Sequence, residues 1–215
     1  MGDNEIAQTP IAKDVRFGTL GLSVKLIAGL LVIVMTWLSL SLGVAGFGLF
    51  LYLHLLLRFH PAPLAGVPSR DVCAPLSGRV VAVRDDRDGV QIDIEGDMTA
   101  SQIIYAPLSA VIEDKLWIDG AYLPFHDGGS HPLNARYDFL LQLETGGRAS
   151  FSLFGGQWTR YIHAPFSEGQ AINQGEPFGF GLLCSLVTVQ LPKGYHAVVA
   201  KGDLVLARAN IIAQK

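Results

Sequence analysis

A single hydroxyl residue stands where a glycine-rich run enters an alternating one. From Gly179 the chain reads Gly-Phe-Gly-Leu-Leu-Cys-Ser, and Leu186 to Leu191 then alternate up to Pro192. Ser185 at this junction is either a turn residue ahead of a strand or a nucleophile held where the backbone is constrained. A serine hydroxyl without a neighbouring base is a weak nucleophile. The segment "PFHDGGSH" (Pro124 to His131) offers His126, Asp127 and His131, and a His–Asp neighbour pair can orient an imidazole as a base. His163 in "YIHAPF" is a second candidate. Each of these histidines reads equally well as an exposed loop residue or a hydrogen-bonded core one. Cys184, directly before the serine, reads first as a packing residue, since a lone cysteine in an apolar run behaves as a small hydrophobe.

The elements that must position Ser185 are short strands. Gly78 to Val83, Val90 to Ile94, Gln102 to Tyr105 and Lys115 to Ile118 are strand-like runs between turn signals. Tyr137 to Glu144 and Ala149 to Phe154 flank Gly146-Gly147 and predict a hairpin. Leu186 to Leu191, His196 to Val199 and Leu204 to Ala207 follow. A helical turn is expected only near Ser109 to Lys115. The soluble part, 74–215, is therefore mainly β, and 24 glycines fit its many tight turns.

The chain opens differently. Between Lys25 and Arg58 lie 32 residues without Asp, Glu, Lys or Arg. This is long for the ~20 residues that span a bilayer, so a single tilted helix or a hairpin broken at Gly43, Gly46 and Gly48 is expected over 26–57, after an N-terminal segment 1–25. A secretory signal is disfavoured because its apolar region would be only ~7–15 residues. Basic residues on both flanks suit a hairpin with both ends in the cytoplasm, which implies the cytoplasmic membrane as location. Residues 58–73, the first part of a proline-rich stretch running to 75, read as a linker.

A net charge of −3 excludes an electrostatic nucleic-acid binder. Two cysteines, Cys73 and Cys184, make neither a disulfide framework nor a zinc site, and no metal is expected. The repeated Ala-Pro entries at Ala74, Ala106 and Ala164 resemble those of biotinyl- and lipoyl-type barrel-sandwich folds, but no attachment lysine stands at a hairpin tip. Lys115 is the nearest to one.

Four blocks in order resemble the short, prokaryotic type of phosphatidylserine decarboxylase. "LRFHP" (Leu57 to Pro61) stands where that family has Arg-Asp-Pro. "APLSGRV" (Ala74 to Val80) stands at its Pro-Ala-Asp-Gly-Arg-Val, and "IIYAPLSAV" (Ile103 to Val111) at its Ser-Pro…His segment. "EGQAINQGEPFGFGLLCSLVTVQLP" (Glu168 to Pro192) follows its Gly-Ser…Leu-Pro ending without a gap. The resemblance implies a barrel-sandwich-hybrid-like β domain and a zymogen that cuts itself before Ser185. The serine would become a pyruvoyl group that serves as electron sink when phosphatidylserine loses carbon dioxide. It also implies phospholipid biosynthesis as the process and the bilayer as partner. A homo-oligomer is compatible with it.

This chain departs from the pattern as a divergent member. Cys184 replaces the glycine before the serine, Ser77 replaces the aspartate, and Val111 replaces the histidine. In the family those last two supply the base. Two expectations follow: a decarboxylase in which the His126/Asp127 loop compensates, or an uncleaved, non-catalytic relative with a lipid-binding or assembly role.

Overall fold

The computed structural model describes residues 16–56, 70–86, 89–98, 100, 102–125, 132–144, 146–181 and 185–215. The chain divides into two units, 1–58 and 59–215.

In the first unit the uncharged stretch is a helical hairpin. Helix α1 runs Arg16–Leu38 and α2 runs Leu40–Leu56. The reversal falls at Ser39 rather than at the glycines. The Ser39 Oγ accepts a hydrogen bond from the Leu42 N–H at 3.2 Å, capping α2. Gly43 and Gly46 sit inside α2 and let the two legs approach. A Cβ on Gly43 would meet Thr36, and one on Gly46 would lie 3.3 Å from the Met35 sulfur. The described faces are apolar all round yet exposed, with Trp37 at 88% and Leu40 at 77% beside the turn. Among the described residues no helix is long and apolar enough to cross a membrane. Of the two expected arrangements the chain forms the hairpin, its two legs lying against each other, and the expectation that this segment spans a membrane finds no support among the described helices.

The second unit is mainly β, as the alternation predicts. Its largest sheet contains β2 (Gly78–Asp86), β3 (Gly89–Gly96), β5 (Ala110–Ile118), β6 (Arg136–Leu143), β7 (Arg148–Phe154), β9 (Ala171–Ile172), β11 (Leu186–Pro192) and β13 (Leu204–Val205). The order is β13-β2-β3-β11-β7-β6-β5-β9, and the pairings are antiparallel. β11 is central because six of its seven side chains, Leu186 to Thr188, Val189, Leu191 and Pro192, are buried or half-buried. It pairs with β3 on one side and β7 on the other. The β6–β7 hairpin turns through Gly146 and Gly147, whose φ of 79° and 98° suit glycine alone at low cost.

A second sheet is formed by β4 (Ile103–Tyr105), β10 (Pro177–Gly181) and β8 (Ile162–His163). The third joins β1 (Val72–Cys73), β14 (Ile211–Gln214) and β12 (His196–Ala197). One sequence expectation fails here. The helical turn near Ser109 to Lys115 is strand β5, where Ala110 and Ile112 point inward and Val111 and Glu113 outward. The glycine-rich run before Gly181 is strand β10. Phe178 makes it so: fully buried, it meets Phe139, Phe151 and Phe166 at ring centroid distances of 4.7, 5.2 and 4.9 Å. Burying each such ring contributes roughly 1.5–3 kcal/mol, enough to override the turn preference of the flanking glycine and proline.

Candidate active site around Ser185

β10 belongs to the small sheet and β11 to the large one, so the chain crosses between sheets just before Ser185. β10 is fixed at its end by Phe180 pairing with His163 and with Ile103. The Gly181 N–H also donates to the Gln102 carbonyl at 3.1 Å. β11 is fixed at its start by Leu186 pairing with Glu95 and with Phe154. Ser185 is thereby 5% exposed.

Two glycines make room for it. A Cβ on Gly181 would lie 2.8 Å from both Cβ and Oγ of Ser185, closer than real contacts allow. A Cβ on Gly96 would lie 3.1 Å from the Ser185 carbonyl oxygen. That oxygen instead accepts the Gly96 N–H at 2.8 Å. Gly96 is opposite Gly78 across the β2–β3 pair.

A small cavity of about 10 Å³ borders Ser185, lined also by Ser77, Asp97, Gln102 and Gly181. Such a space is close to the minimum for one water. Ser77 and Asp97 are neighbours through the backbone: the Asp97 N–H donates to the Ser77 carbonyl at 3.0 Å. The Ser77 hydroxyl oxygen accepts the Ala207 N–H at 2.9 Å. Gln102 folds its side-chain amide back to donate to the carbonyls of Ala100 at 3.0 Å and Met98 at 3.3 Å, which pins the segment after Asp97. A larger groove of about 370 Å³ shares Ser77, Gly96 and Asp97 with that cavity and continues past Arg79 to Leu204 and Leu206.

The remaining sequence candidates are distributed as follows. Cys184, His126, Asp127 and His131 lie outside the described residues. His163 is in β8, stacked on Tyr161 with centroids 6.3 Å apart, and does not line the Ser185 cavity. Val111 is on β5, 41% exposed, and does not line it either. Ser77 does, so the two positions at which the family aspartate and serine were expected converge in space.

Lys115 is no carrier lysine. Its Nζ donates to the carbonyls of Ala164 and Phe166 at 2.7 and 2.8 Å and lies 5.0 Å from the Tyr137 ring centre. Burial pushes its pKa below the usual lysine value. Among the described residues no group of His, Cys, Asp and Glu could hold a metal ion.

Sequence reasoning missed Gly96, Asp97, Gln102 and Gly181. The available signal was the pairing of two alternating runs, Val90 to Ile94 with Leu186 to Leu191, which brings the Gly96-Asp97 step beside the serine.

The family model for phosphatidylserine decarboxylase matches residues 78–213. The chain belongs to the phosphatidylserine decarboxylase family. A phosphatidylserine decarboxylase proenzyme from Burkholderia mallei is 27% identical over 183 residues, covering 80% of this chain and 85% of the relative. One from Aromatoleum aromaticum is 28% identical over 185 residues, covering 80% and 86%. One from Ehrlichia chaffeensis is 27% identical over 169 residues, covering 74% and 75%.

Proposed function

We propose that this protein is a membrane-associated phosphatidylserine decarboxylase that makes its own pyruvoyl group by cleavage before Ser185. The observation that carries the reading is the position of Ser185. It is almost fully buried at the crossing between two sheets, and two glycines are needed to admit it. A serine serving only as a turn residue does not require such enclosure.

The residues around Ser185 fit the group that would form there. The Ser185 carbonyl is retained when the side chain is converted, and the Gly96 N–H that it accepts fixes its orientation. A pyruvoyl group supplies the electron sink for loss of carbon dioxide from an amino acid head group. The groove adjoins the Ser185 cavity through Ser77, Gly96 and Asp97 and is where that head group would sit. Arg79 presents a guanidinium suited to a phosphate, and Leu204 and Leu206, 74% and 62% exposed, offer apolar surface to the adjoining lipid.

The helical hairpin supplies attachment. Its exposed leucines and valines are unfavourable in water, where contiguous apolar patches of this kind mark interaction sites. A hairpin inserted from one face of a bilayer has both its ends on that side. That side is the cytoplasm, from the basic residues on both flanks of the hairpin.

A second reading is favoured by the chain's own substitutions. Ser77 has no charge with which to activate Ser185, and Val111 is an apolar side chain facing outward on β5, away from the Ser185 cavity. In that reading the chain stays whole and binds lipid without turning it over. Purified protein in mixed micelles with phosphatidylserine distinguishes the two. Release of carbon dioxide by the wild type and none by Ser185→Ala supports the decarboxylase; no release by either supports the non-catalytic relative.

A further inference from the structure

Self-cleavage before Ser185 requires a group that takes the serine proton. The described residues lining the Ser185 cavity include one ionisable side chain, Asp97. The others are apolar, hydroxyl, amide or glycine. We propose that Asp97 is the base that activates Ser185 for self-cleavage; the proposal rests on the decarboxylase reading above.

Three features place Asp97 for that work. It follows Gly96, whose N–H holds the Ser185 carbonyl, so Asp97 is one residue from the backbone bond that anchors Ser185. Its own N–H is tied to the Ser77 carbonyl, and its carbonyl accepts the Ala100 N–H at 3.1 Å, forming a tight turn braced by Gln102. It also lines the larger groove, so its carboxylate has access to solvent and can pass the proton on.

The chemistry balances without any metal or oxidant. The Asp97 carboxylate takes the Ser185 hydroxyl proton, and Oγ bonds to the Cys184 carbonyl carbon. The peptide C–N bond breaks, and the Ser185 nitrogen takes up a proton, leaving an ester. Loss of the Ser185 Cα proton and breakage of Cβ–Oγ release the Cys184 carboxylate. The resulting dehydroalanine tautomerises to an imine, which one water hydrolyses to the ketone with loss of ammonia. General-base catalysis is typically worth 10²–10⁴-fold, so removal of the carboxylate has a measurable consequence.

The test follows conversion of the full-length protein to its C-terminal piece by intact mass over time. Expected results are cleavage by the wild type, slowing of about 100-fold or more in Asp97→Asn, and substantial recovery in Asp97→Glu. Because Ser77 lines the same cavity and is bonded to Asp97, the double variant Ser77→Asp/Asp97→Asn should also recover cleavage. Cleavage of Asp97→Asn at the wild-type rate overturns the proposal. So does loss of cleavage in Asp97→Asn that neither carboxylate-bearing variant restores, which would make the residue structural. A wild type that never cleaves removes the decarboxylase reading itself, a result distinct from either.

Discussion

Gly181 approaches Ser185 so closely that a methyl group on it would fall 2.8 Å from the serine Oγ. The last residue of one sheet thus sets the position of the first residue before the next. Gly181→Ala should push Ser185 out of place. Overpacking of this kind costs typically 1–3 kcal/mol, so a lower urea midpoint is expected, together with loss of any cleavage. Wild-type stability and cleavage in the variant would show that the contact does not matter.

The central strand is tied to β3 by a buried carboxylate. Asp93 is 0% exposed and accepts hydrogen bonds from Arg84 at 2.9 Å, Gln91 at 3.0 Å and Thr188 at 2.8 Å. Arg84→Ala should be strongly destabilising, because a buried charge that loses its ionic partner costs about 3–5 kcal/mol, less here as the arginine is partly exposed. Thr188→Val should cost about 1 kcal/mol. Chemical denaturation of the two variants checks the ranking.

Cys73 carries a pH prediction. Burial pushes its thiol up from 9.0 to about 11, and Sγ–H donates to the Ala106 carbonyl at 3.5 Å. The folded state thus favours the neutral thiol. Its contribution is fully present below pH 9 and is lost as pH rises toward 11, as the unfolded thiol ionises first. The total is about 2–3 kcal/mol at 1.36 kcal/mol per unit. Stability measured from pH 8 to 11 should fall more steeply in the wild type than in Cys73→Ala, and parallel curves would contradict the assignment.

The hairpin predicts membrane attachment. Replacing Leu30, Leu31 and Val34 together by serine should shift the protein from the membrane fraction toward the soluble one. An unchanged distribution would place the attachment elsewhere.

Much of this was legible in the sequence where a period was clean. Leu186 to Leu191 and Val90 to Ile94 alternate, and both are strands in register with each other. Pro177–Gly181 was obscured because proline and glycine signal turns locally, while the burial of Phe178 among three other rings is a tertiary effect. The hairpin break was obscured for the opposite reason: Gly43 and Gly46 are helix-weakening in isolation but serve here as the contact surface, and Ser39 marks the reversal by capping. Ser185 could be singled out from its setting and from the family resemblance. Asp97 could not, since its nearness to Ser185 depends on a pairing between residues about ninety positions apart, and "EGDM" by itself reads as a surface turn.

The central claim is that residue 185 does not remain a serine. Intact mass of the full-length protein purified from membranes tests it most directly. The prediction is a 31-residue C-terminal piece beginning at position 185 with a ketone in place of its amino group, absent in Ser185→Ala. A single species at the full 23.2 kDa, with an unmodified serine, would contradict it.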